Sequence, residues 1–119
     1  MDQGATPVRT NGAARFGGEP FTLLDGSTVT VPEFNLDEVE QFTTLGTEMT
    51  SAPPTERIRY VLRLVEVIWM AVHRNHPDVT VEDFRQGLSQ RLTFALIETV
   101  NRINGLVVQD PREAAPPSP

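Results

Sequence analysis

A mainly helical domain carrying an N-terminal β-hairpin on a small bundle of about four helices is the fold class the sequence predicts. Three observations carry it. Long apolar stripes at helical spacing run through 56–75 and 89–103. Residues 21–31 alternate instead with a period of two around Asp25-Gly26. The 119-residue chain, 39% hydrophobic, has the length of one domain and enough apolar surface for a core.

The ends are expected to lie outside that domain. Residues 1–19 alternate glycine with small and polar residues, and 109–119 hold four prolines in eleven positions. Neither can bury enough area to offset ordering its backbone, so both are expected to be disordered. The folded domain is expected over 20–108.

Phe21–Leu24 and Ser27–Val31 are β-prone runs separated by Asp25-Gly26, which predicts a hairpin closed by a type I′ turn. Val29 and Val31 form its apolar face, and Pro32 ends the ladder because it has no N–H to donate. Two strands alone are marginal in water, so the hairpin must lie on the helices that follow.

Asn35 is placed to cap a first helix from Leu36, with Asp37 and Glu38 in the first turn where the helix dipole favours acids. Gly46 is expected to stop it. Five acids and no base lie between Glu33 and Glu48, giving a strongly negative face. A linker, 47–54, leads to Thr55, the expected cap of a long helix ending near Asn75. Ile58, Val61, Leu62, Val65, Ile68, Trp69 and Val72 share one stripe, which Tyr60, Leu64, Val67 and Met70 widen. Such a helix is central to its fold or shared with a partner. Arg57, Arg59 and Arg63 are expected to face the acidic helix. Asn75-His76-Pro77-Asp78 breaks the chain, because a residue before proline is pushed out of the α region. Thr80 caps a short helix, with Asp83 at its third position. Gly87 breaks it, Ser89 caps a last helix, and Asn104-Gly105 stops that one. Leu106–Val108 are expected to add a short extended piece.

Composition excludes whole classes of chemistry. Without cysteine there are no disulfides, thiolate zinc sites, iron–sulfur clusters or cysteine nucleophiles. A formal charge of −6 argues against sequence-independent binding to nucleic acid. The most apolar run, Leu64–Val72, has nine residues including Glu66, and a membrane span needs ~20. The first nineteen residues lack the apolar core of an export signal. His73 and His76 are the only histidines, and no third metal ligand has suitable spacing. No phosphate loop or nucleophile elbow is present. No enzyme activity and no cofactor are therefore expected. The helix, Gly87 turn and helix outline a helix-turn-helix whose base-reading positions would be Ser89, Gln90, Arg91 and Thr93.

The hairpin FTLLDGSTVTVP, the acidic helix LDEVEQF, the long helix ending in HRNHPDVTVEDFRQGL and a final helix before a loose tail together resemble the tail assembly chaperones of long-tailed bacteriophages. The resemblance covers 20–105, and its most specific part is Arg74–Asp83. It implies a small non-catalytic factor of the host cytoplasm. Such a factor binds the tape-measure protein, keeps it soluble, assists polymerisation of the tail-tube protein around it and is absent from the finished virion. There are no catalytic residues to carry over; His76, Pro77, Asp78 and Thr80 match as a helix break and cap. Trp69, Met70, Phe94 and Ile97 are the expected partner-binding residues, on an apolar patch left uncovered on the long or final helix, with self-association as another use of it. The alternatives are a head–tail completion or minor tail protein retained in the particle, and a helix-turn-helix DNA-binding regulator.

Overall fold

The computed structural model describes residues 16–106. The element order is β1 (Glu19–Thr22), β2 (Thr28–Val31), α1 (Leu36–Ser51), a 3-10 turn (Pro54–Glu56), α2 (Arg57–Asn75), α3 (Val81–Gln86) and α4 (Gln90–Ile103). This is the expected mainly helical fold, an antiparallel hairpin packed on four helices. The tail 109–119, the proposed strand residues Val107 and Val108, and residues 1–15 of the arm lie outside the described residues.

The hairpin begins earlier than the expected Phe21, and Phe16 to Glu19, expected to belong to a disordered arm, are instead ordered against it and Asn75. Glu19 pairs with Val31, Phe21 with Val29 and Thr22 with Thr28. The turn is also not the two-residue type. The Leu23 N–H donates to the Ser27 carbonyl at 2.8 Å and the Gly26 N–H to the Leu23 carbonyl at 3.0 Å. That is a three-residue loop in which only Gly26 needs the left-handed region, at φ 88°. The Ser27 hydroxyl and N–H both donate to Asp25, hold the turn, and keep the Asp25 carboxyl below its usual range. Gly18, at φ 117°, passes so close to β2 that a Cβ would stand 2.0 Å from the Val31 carbonyl oxygen.

Asn35 caps α1 in a full capping box: its side chain accepts from the Glu38 N–H, and Glu38 accepts from the Asn35 N–H. Gly46 does not end α1. One mid-helix glycine costs about 1 kcal/mol, which the packing of Leu45 and Met49 into the core offsets. The helix ends instead where Pro53 forces Ala52 extended, at ψ 151°. Thr55 does not cap α2, because it lies inside the 3-10 turn, and Glu56 precedes the helix without a side-chain cap bond. Thr80 and Ser89 do cap α3 and α4, accepting from Asp83 and Leu92 N–H at 3.0 and 3.1 Å.

The core gathers Val29 and Val31 from β2, Phe42 and Leu45 from α1, Leu64 to Val72 from α2, Phe84 from α3, and Leu96 and Val100 from α4. The ion pair joining α1 to α2 uses Arg74, while the expected facing holds for Arg59 and Arg63, which line clefts beside Glu48 of α1. Arg74 Nη1 lies 2.6 Å from Glu38 Oε2, while Arg59 pairs with Glu56 at 3.6 Å. The three expected arginines sit in the N-terminal half of α2, whereas the buried acid lies at the start of the antiparallel α1. Among the described residues no helix is long and apolar enough to cross a membrane.

Candidate functional site

Three of the large apolar side chains left exposed converge on one feature. Ile58 and Leu62 on α2 are 59% and 40% exposed, and Phe94 on α4 is 49% exposed. With Val61, Val65, Leu88 and Thr93 they line a groove of about 280 Å³ between the two helices. On α2 the lining residues 58, 61, 62 and 65 follow i, i+3, i+4, i+7, the spacing of one helical face over two turns. Arg85 closes the groove; its Nη2 holds Glu66 Oε2 at 2.6 Å, and no acid lines the walls.

The groove exists because cover for α2 runs out. α1, β2 and α3 pack on α2, and its buried residues, Leu64 to Asn75, lie in its middle and C-terminal half. The same stripe continues to Ile58, but no element of the described chain reaches over it there. α4 stands alongside instead of on top. It turns Thr93, Leu96 and Val100 inward and leaves Phe94 outside.

The four expected partner-binding residues are not brought together. Phe94 lines this groove. Ile97 is half-buried in a second groove of about 480 Å³ between α1 and α4, with Phe42, Met49, Leu64 and Leu106. Met70 lies elsewhere on α2, in a cleft with Arg63 of α2 and with Glu40 and Glu48 of the acidic α1 face. Trp69 is half-buried and serves the fold: its indole N–H donates to the Val79 carbonyl at 2.8 Å, and its ring lies 4.7 Å from that of His73. Each residue step rotates a helix by about 100°, so Trp69 and Met70 meet different neighbours and adjacency in sequence does not make a patch. Ile58, Leu62 and Leu88 were the residues to find. The stripe of Ile58 and Leu62 is plain in the sequence, but a helical wheel cannot tell where a stripe outruns the elements that cover it, and Leu88 lies in the turn between α3 and α4, outside any helical period.

The remaining candidates resolve as structure. His76 Nε2 accepts the Thr30 N–H at 2.8 Å, and His73 Nδ1 is 3.3 Å from the Val79 carbonyl oxygen. No three metal-ligating side chains cluster among the described residues. Of the four positions proposed to read bases, Ser89 is the α4 cap, and Thr93 is buried with its hydroxyl donating to the Ser89 carbonyl at 2.7 Å. No protein-family model matches this sequence, and neither a curated protein nor a solved structure is similar to it.

Proposed function

We propose that this chain is a non-catalytic phage tail assembly chaperone that takes an amphipathic helix of the tape-measure protein into the groove between α2 and α4. One observation carries the reading: Ile58 and Leu62, one turn apart on α2, and Phe94 on α4, all exposed, line a single apolar trough. Such a trough suits helix-in-groove recognition, in which partner residues at i, i+3 or i+4 and i+7 fill successive positions. Apolar side chains predominate in its walls, with Arg85, Gln90 and Thr93 as the polar members. A tape-measure protein awaiting its tube needs its apolar helical stripes covered, and the surrounding charge of −6 keeps the carrier itself soluble. On this reading the protein acts in the host cytoplasm, hands its client to the tail-tube protein and leaves before the particle is complete.

The test is co-expression with the tape-measure protein, measuring the client's soluble fraction. Wild type raises it and Phe94→Asp does not, while circular dichroism shows the variant folded. Leu36→Ser, at a position 86% exposed at the far end of α1, acts as wild type. Equal solubility with and without the chain refutes the proposal. Detection of the chain in purified particles favours a retained tail or head–tail component.

A further inference from the structure

A two-stranded hairpin has two open edges, and each is handled differently here. In an antiparallel ladder, alternate residues turn their N–H and C=O away from the partner strand. Thr30 is such a residue on β2; it stands opposite Pro20, which has no N–H to give. Pro20 also blunts the outer edge of β1. On β2 the outward groups of Thr30 are met by two side chains at the end of α2. The Thr30 N–H donates to His76 Nε2 at 2.8 Å, and the Thr30 carbonyl accepts from Asn75 Nδ2 at 3.2 Å. Asn75 also accepts the Phe16 N–H at 3.0 Å and donates to the Gly17 carbonyl at 3.2 Å. These two side chains occupy the place of a third strand and tie the hairpin to the bundle.

The donor in the first of these bonds is a backbone amide, so His76 Nε2 must present a lone pair. The ring is therefore neutral, with its proton on Nδ1. An imidazolium would set Nε2–H against Thr30 N–H, two donors with no acceptor between them. The charged groups on the surrounding elements are Glu19 and Asp25 on the hairpin, Glu33 after it, His73 and Arg74 on α2, Glu38 on α1, Asp78 in the connecting turn, and Glu82 and Asp83 on α3. None is hydrogen-bonded to the His76 ring. Glu19 is held by Arg102 at 2.8 Å and Glu38 by Arg74 at 2.6 Å. Among the described residues no carboxylate is bonded to His76 to compensate a charge there, and burial lowers its pKa below the ordinary 6.5.

We propose that His76 is a proton-operated latch that holds the outer edge of β2 shut while neutral and frees it when charged. The latch is independent of the partner reading. It is tested by NMR on the full chain, comparing Thr30 amide exchange at pH 7.5 and 5.5 with that of Val29, whose position pairs within the hairpin. Thr30 protection falls on acidification by several-fold relative to Val29; about tenfold is the ceiling at pH 5.5, one unit below the ordinary His pKa of about 6.5. In His76→Gln, whose side-chain oxygen accepts but does not titrate, that fall disappears. Should His76→Gln fail to fold, the ring-nitrogen shifts of the wild type decide: the latch requires an unprotonated Nε2 at pH 7.5. A proton on Nε2 at that pH, Thr30 protection independent of pH, or the same fall in a folded His76→Gln overturns it.

Discussion

Replacing Arg74 with alanine removes the guanidinium that faces a buried carboxylate. Glu38 is 3% exposed, with Oε2 2.6 Å from Arg74 Nη1 and Oε1 accepting the Asn35 N–H at 3.1 Å. Arg74 Nη2 also donates to the Glu33 carbonyl at 2.9 Å, so one side chain ties the end of α2 to both the approach and the first turn of α1. Removing one partner of a fully buried pair costs ~3–5 kcal/mol, because the other charge is left unpaired. The Arg74 side chain is 28% exposed, so water partly replaces it, and the expected loss is about 2–3 kcal/mol. For a domain of this size that lowers Tm by roughly 10–20 °C. Urea unfolding followed by circular dichroism measures it, with an unchanged m-value showing that the native state stays compact. Adding Glu38→Gln removes the stranded charge while its amide oxygen still accepts from Asn35. The double variant should therefore recover at least ~1 kcal/mol over Arg74→Ala. A loss below ~1 kcal/mol for Arg74→Ala, or no recovery in the double variant, would refute this account of the pair.

Gly18→Ala should cost at least ~3 kcal/mol, because it combines a left-handed φ with a Cβ driven into the Val31 carbonyl. Gly46→Ala, with nothing within 4 Å of the new Cβ, should stabilise by ~0.5–1 kcal/mol in the same urea assay. Trp69→Phe should lose about 1 kcal/mol with the indole bond to Val79, and client binding should survive, since Trp69 does not line the groove. Burial depresses the His76 pKa, so the unfolded chain takes up protons more readily than the folded one. Its contribution is intact above pH 6.5 and is lost as pH falls through the lowered folded value. Urea midpoints across that range should fall for wild type and stay flatter for His76→Gln.

Three of the four expected caps, and the break at Pro77, were legible in the sequence because they are local chemistry; Thr55 was not, because the 3-10 turn took it up. Asn35, Thr80 and Ser89 each satisfy an amide three residues on, and Pro77 bars the residue before it from the helix. The hairpin was legible for the same reason, although its loop came out one residue longer once only Gly26 was asked to take a positive φ. Gly46 marks where local reasoning stops. Its propensity argues for an end, but the core contacts of Leu45 and Met49 outweigh about 1 kcal/mol and carry the helix through to Ser51. The candidate site lies wholly on the far side of that boundary. Periodicity placed Ile58, Leu62 and Phe94 on apolar faces, and it placed Val72 and Val100 there equally. Which of them are covered depends on how far α1, β2 and α3 reach along α2, and on α4 lying beside it. Those distances are set by packing between segments far apart in the chain, which no local pattern encodes.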